Sequence, residues 1–121
     1  MPHNNLINIS ETILNRALSL AMEFGENWLM PVQERLIGEY PHIESPMADQ
    51  IDLLCKEVMS TCNSATGKEL KGRNETKIEI REVNYRIRRI LREKYIWISE
   101  ENLNRLFSQA CYYAYKDGWQ G

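Results

Sequence analysis

The sequence predicts an all-α fold, an irregular four-helix bundle with a Pro-kinked first helix. Apolar residues recur at three- and four-residue steps in four separate segments. A serine or asparagine able to cap a helix stands ahead of each of them. Strand-like alternation is confined to Thr76-Lys77-Ile78-Glu79-Ile80-Arg81, and fifteen helix-patterned residues follow it.

Residues 1–9 form a polar leader. Ser10 caps the first helix, and Glu11 suits its positive end. Ile13, Leu14, Ala17, Leu18, Ala21, Phe24, Trp28 and Leu29 make its apolar stripe. Pro31 removes a donor and crowds the preceding turn. Val32, Leu36 and Tyr40 nevertheless continue the stripe in phase. Either the helix kinks at Pro31 or a short second helix starts there. Gly38 and Pro41 end it.

Ser45-Pro46 marks the next start. Its stripe is Met47, Ile51, Leu54, Cys55, Val58, Met59 and Cys62, and its outer face holds Asp49, Asp52 and Glu57. Residues 63–73 are polar with two glycines, Gly67 and Gly72, and read as a long loop suited to binding. Asn74 caps the third helix, whose seam is Ile80, Val83, Ile87, Ile90 and Leu91. That seam can close on its own bundle or on a second copy, so the oligomeric state stays open. Tyr95-Ile96-Trp97-Ile98 is an apolar connector. Ser99 caps the fourth helix, striped by Leu103, Leu106, Phe107, Ala110, Cys111 and Ala114 and stopped at Asp117-Gly118.

At 121 residues the chain is read as a single helical domain, long enough to fold without a metal or disulfide. The apolar share of 43% excludes an intrinsically disordered chain. No uncharged run approaches the ~20 residues of a membrane span, and no secretion signal is visible. A cytoplasmic location follows as an expectation. Cys55, Cys62 and Cys111 are an odd set and are expected as reduced core thiols. Cys55 and Cys62 lie roughly 10 Å apart along a helix, beyond disulfide reach. Neither His3 nor His42 stands at zinc spacing from a cysteine, so no metal or cofactor is expected. Asn8-Ile9-Ser10 and Asn74-Glu75-Thr76 match the glycosylation pattern and read better as helix caps.

A net charge of −2 hides an asymmetry. Residues 1–67 carry −6, residues 68–94 carry +5, and the remainder carries −1. A partner at close range meets these local surpluses rather than the total.

Three surfaces could use them. The acidic exterior of the first half, Glu34, Glu39, Glu44, Asp49, Asp52 and Glu57, can mimic phosphates and engage a basic protein partner. Small inhibitors of basic toxins and nucleases work this way as a class, and a toxin-neutralising immunity-type protein is the most specific form of this expectation. Tyr112, Tyr115 and Trp119 share a face of the last helix and could add an aromatic contact. The third helix carries Arg81, Arg86, Arg88, Arg89, Arg92 and Lys94. On it, Arg81, Tyr85, Arg88 and Arg92 share one face, the arrangement that grips phosphate and stacks on a base. Nucleic acid is the alternative partner, although a sequence pI near 5.7 is low for a dedicated binder.

Catalysis has thin support. His42 with Glu44 could serve a small hydrolase, but no serine or cysteine stands beside them at a recognisable spacing. The carboxylate pairs Glu23/Glu26 and Asp49/Asp52 lack the Glu-x-x-His partner of a bundle metal site. Gly67-Lys68 lacks the earlier glycine and strand of a phosphate loop.

The stretch Phe24-Gly25-Glu26-Asn27-Trp28, through Pro31-Val32-Gln33 to Tyr40-Pro41, resembles a segment of some small bacterial helical proteins. The resemblance covers under a quarter of the chain and implies a bacterial source and no function. The expectation is therefore a non-enzymatic interaction protein, a regulator or inhibitor docking a protein partner.

Overall fold

In a computed structural model the described residues fold into five α-helices and contain no strand. They are residues 9–23, 31–70 and 77–116, the side chains of 77, 78, 115 and 116 excepted. The helices are α1 (Glu11–Ala21), α2 (Gln33–Glu39), α3 (Ser45–Leu70), α4 (Lys77–Lys94) and α5 (Glu100–Lys116). The chain divides into two compact units, Met1–Glu57 and Val58–Gly121, and α3 contributes to both.

In the first unit, Ser10 caps α1 as its chemistry predicts: its Oγ accepts the N–H of Ile13 at 3.2 Å. Leu14, Ala17, Leu18 and Ala21 are buried, at the spacing of the expected stripe. The helix stops at Ala21, where the Met22 N–H turns back to the carbonyls of Leu18 and Ser19. A separate helix then begins at Gln33, with Pro31 two residues ahead of it. The described residues thus hold two helices, not one helix kinked at Pro31. Proline tolerates a helix start but not a helix interior. Phe24, Trp28 and Leu29 lie outside the described residues.

The start of α2 has no side-chain cap of its own, since valine occupies the capping position. Asp52 on α3 accepts the N–H of that valine, Val32, at 3.2 Å and so satisfies one main-chain donor at the helix start. This corrects the expectation that Asp52 lies on the outer face: it is 4% exposed. Its carboxylate also meets the Lys56 ammonium one helical turn on, at 2.9 Å. Two further ion pairs hold the unit together. Arg16 of α1 grips Glu39 of α2 with two parallel bonds of 2.8 Å. Arg35 of α2 donates to Glu23 at 2.6 Å, and to the Leu20 carbonyl at 3.3 Å.

In the second unit, the expected loop at 63–73 is corrected over most of its length, because α3 runs on to Leu70. Thr66 and Leu70 are both fully buried, in step with Cys62. The polar residues between them are the outer side of a helix rather than a loop. Residues 71–76, with the Asn74 cap, lie outside the described residues. The Thr76–Arg81 ambiguity resolves as helix from Lys77 onward. Val83, Ile87 and Leu91 are buried as expected, whereas Ile90 is 42% exposed and leaves the seam.

The connector between α4 and α5 buries Tyr95 and Ile98 and leaves Ile96 in solvent. Ser99 accepts the Asn102 N–H at 3.2 Å and so starts α5 as predicted. Leu103, Leu106, Phe107 and Ala110 are buried, while Cys111 and Ala114 are half-buried. The expected stop at Asp117-Gly118 falls outside the described residues. No described helix is long and apolar enough to cross a membrane.

Candidate functional site

The arginines of α4 divide into two groups. The first is engaged within the second unit. Arg86 forms a two-pronged pair with Glu69 of α3, at 3.0 and 2.7 Å. Arg88 donates to Asn104 of α5 at 2.6 Å and pairs with Glu100. Arg92 pairs with the same Glu100. One carboxylate that accepts two guanidinium groups offsets one of their two positive charges and fixes both side chains. Two members of the expected phosphate-gripping face, Arg88 and Arg92, are therefore turned to an internal task.

The second group is Arg81 and Arg89. Both are exposed, and neither meets a carboxylate at ion-pair distance among the described residues. They stand four residues on either side of Tyr85, so the three side chains follow one ridge roughly 12 Å long. The Tyr85 ring is 64% exposed, and the Arg89 guanidinium carbon lies 6.0 Å from its centroid. Arg81, Glu82, Tyr85 and Arg86 line a hollow of about 390 Å³ on this side of α4. The ridge is thus Arg81, Tyr85 and Arg89, not Arg81, Tyr85, Arg88 and Arg92. The signal that could have found Arg89 is its i+4 spacing from Tyr85.

Beside α4, a trough of about 670 Å³ runs along the second half of α3. Ser60, Thr61, Ser64, Ala65, Lys68 and Glu69 line it, with Ile90 of α4 opposite. Small side chains on successive turns of α3 leave this space, and the half-exposed Ile90 borders it. The Thr61 hydroxyl and the Tyr95 phenol lie 3.3 Å apart.

The acidic exterior of the first unit is only partly available. Asp52 is buried, Glu39 is held by Arg16, and Asp49 accepts the Gln33 amide at 3.2 Å. The hydrogen-bonded Arg16 guanidinium holds the Glu39 carboxyl below its usual range, and Glu39 raises Arg16 in return. Glu34 and Glu44 remain exposed, without an ion pair among the described residues, and Glu57 is half-buried with contacts of its own. On α5, Tyr112 is 45% exposed, its ring edge-on to Tyr113 at 5.8 Å. The side chain of Tyr115 and all of Trp119 lie outside the described residues, so the expected aromatic face is represented by Tyr112 alone.

His42 is exposed in the turn after α2, edge-on to Tyr40 with centroids 6.3 Å apart. Burial pushes the thiols of Cys55 and Cys62 up to about 12 and that of Cys111 up to about 11, so all three are protonated at neutral pH. Among the described residues, no three His, Cys, Asp or Glu side chains come together as a metal cage would need. No protein family, curated protein or solved structure matches the chain.

Proposed function

We propose that the chain is a non-enzymatic interaction protein, a regulator or inhibitor that docks a protein partner through the outer ridge of α4. The supporting observation is Tyr85, a large aromatic left 64% exposed between two arginines that have no carboxylate among the described residues. Tyrosine and arginine are the residue types that dominate binding hot spots. Tyrosine adds a large amphipathic ring at a low entropy cost, and arginine adds a permanent charge with a planar fork of donors.

The toxin-neutralising version draws on the acidic exterior. It is left with Glu34, Glu44 and Asp49 as outward carboxylates, since Asp52 is buried and Glu39 is engaged. The nucleic-acid reading loses Arg88 and Arg92 to Glu100, and Glu82 and Glu93 share the exposed side of α4 with the ridge. A duplex-binding surface wants uninterrupted positive charge.

The test is a photo-crosslinking amino acid at Tyr85, activated in cells, with a matched probe at the exposed Leu53 of the first unit. The docking reading expects a discrete protein adduct at Tyr85 that disappears when Arg81 and Arg89 are both changed to Glu. Adducts equal at both positions, or indifferent to the arginines, would refute it. Retention on a DNA or RNA probe that the same double change abolishes would favour the nucleic-acid reading instead.

A further inference from the structure

We infer that the protein partner of the α4 ridge is a second copy of this chain, whose acidic first unit seats on the ridge. The inference rests on the docking reading and names its occupant.

The argument is one of charge left over. In residues 1–57 the only basic side chains are Arg16, Arg35 and Lys56. Each is engaged within that unit, with Glu39, Glu23 and Asp52 respectively. Acidic groups exceed them there, and Glu34 and Glu44 stay exposed without an ion pair among the described residues. The second unit is the reverse. Two of its carboxylates, Glu69 and Glu100, are taken by Arg86, Arg88 and Arg92, and Arg81 and Arg89 remain over. Lys and Arg outnumber Asp and Glu in residues 58–121, so its surplus is positive even with the exposed Glu82 and Glu93 beside the ridge. A second copy can bring its acids to the arginines of the first, with Tyr85 as the apolar centre of that contact. Reciprocal contacts of that kind close a two-fold dimer, and one-sided contacts run on into a chain. Steering between unlike patches speeds such an encounter and makes it sensitive to salt.

The experiment is sedimentation velocity on the full chain and on two charge-reversed forms. One form carries Arg81→Glu with Arg89→Glu, and the other Glu34→Arg with Glu44→Arg. All of these side chains are exposed, and far-UV circular dichroism checks that each form keeps its helices. The wild type should associate at low ionic strength and weaken at least about tenfold as salt rises from roughly 0.05 M to roughly 0.5 M. Each reversed form alone should sediment as a monomer, because its two surfaces then carry the same sign. Mixing the two forms should restore association, since one is doubly basic and the other doubly acidic. A wild type that stays monomeric at low salt, or reversed forms that associate as the wild type does, would overturn the inference. In either event the adduct at Tyr85 separates the two ideas. An arginine-dependent adduct with a different protein preserves docking without self-association, and no arginine-dependent adduct removes both.

Discussion

The buried carboxylate of Asp52 accepts the main-chain N–H of Val32, twenty residues earlier in the chain. It thereby satisfies the N–H of the residue at the capping position, the bond that the third helical residue makes in a capping box. Hydrogen bonds to charged groups contribute about 1.5–3 kcal/mol, and removing the acceptor also leaves a buried donor unsatisfied. Asp52→Ala should therefore lower stability by about 2 kcal/mol in urea unfolding. Asp52→Asn keeps an acceptor oxygen and should lose distinctly less. The Lys56 pair adds little, because its ammonium end is exposed. An asparagine form as unstable as the alanine form would contradict this account.

The Arg16–Glu39 pair makes stability depend on pH with a definite sign. Its hydrogen bonds hold the folded Glu39 carboxyl below its unfolded value. The stabilisation is therefore complete above the unfolded value and is lost as pH falls through the folded one. Arg16, whose own affinity for its proton is raised, stays charged throughout. The urea midpoints of wild type and Glu39→Gln should differ at neutral pH and converge as the pH falls below the ordinary glutamate range. A difference that persisted in acid would assign the effect to packing instead.

Thiol reactivity should follow burial. The thiolate is the reacting form, and Cys55 and Cys62 sit at about 12. Cys111 is half-buried and sits at about 11, so it should be alkylated first. Iodoacetamide labelling of the native protein, followed by intact mass, should show one modification well before the other two. Simultaneous modification of all three would mean that the helices open on the labelling timescale.

Gly67 lies inside α3, where a methyl group in place of its hydrogen would meet nothing within 4 Å. Alanine loses less backbone freedom on folding, so Gly67→Ala should stabilise by about 0.5–1 kcal/mol. The readout is the thermal or urea midpoint. A destabilised variant would restore the loop expectation for this stretch.

Much of the helical pattern could be read from local chemistry. Ser10 and Ser99 cap the helices they precede, and Leu18, Ile51, Val83 and Leu103 are buried at the spacing their stripes require. The failures came where a tertiary contact overrode composition. Asp52 reads as a solvated carboxylate, because nothing in the chain announces that it will accept a main-chain N–H twenty residues away. Residues 63–70 read as a loop because they are polar and contain Gly67, and the buried Thr66 adds only a weak apolar signal to the helical spacing of Cys62 and Leu70. The ridge was half legible. Spacing places Arg81 beside Tyr85, but the pairing of Arg88 and Arg92 with Glu100 depends on how α5 packs on α4, which spacing does not give.

The turn joining α4 to α5 also bears on how the molecule comes together. Five residues, 95–99, separate the two helices, and the turn's main-chain bonds span only three or four positions. Closing so short a connection costs little chain entropy. Contacts this local can form while the rest of the polypeptide is still searching. The α4–α5 hairpin, like the equally short α2–α3 connection, is therefore suited to form early, and if it belongs to the nucleus a break in its Ser99 cap should slow refolding more than it speeds unfolding.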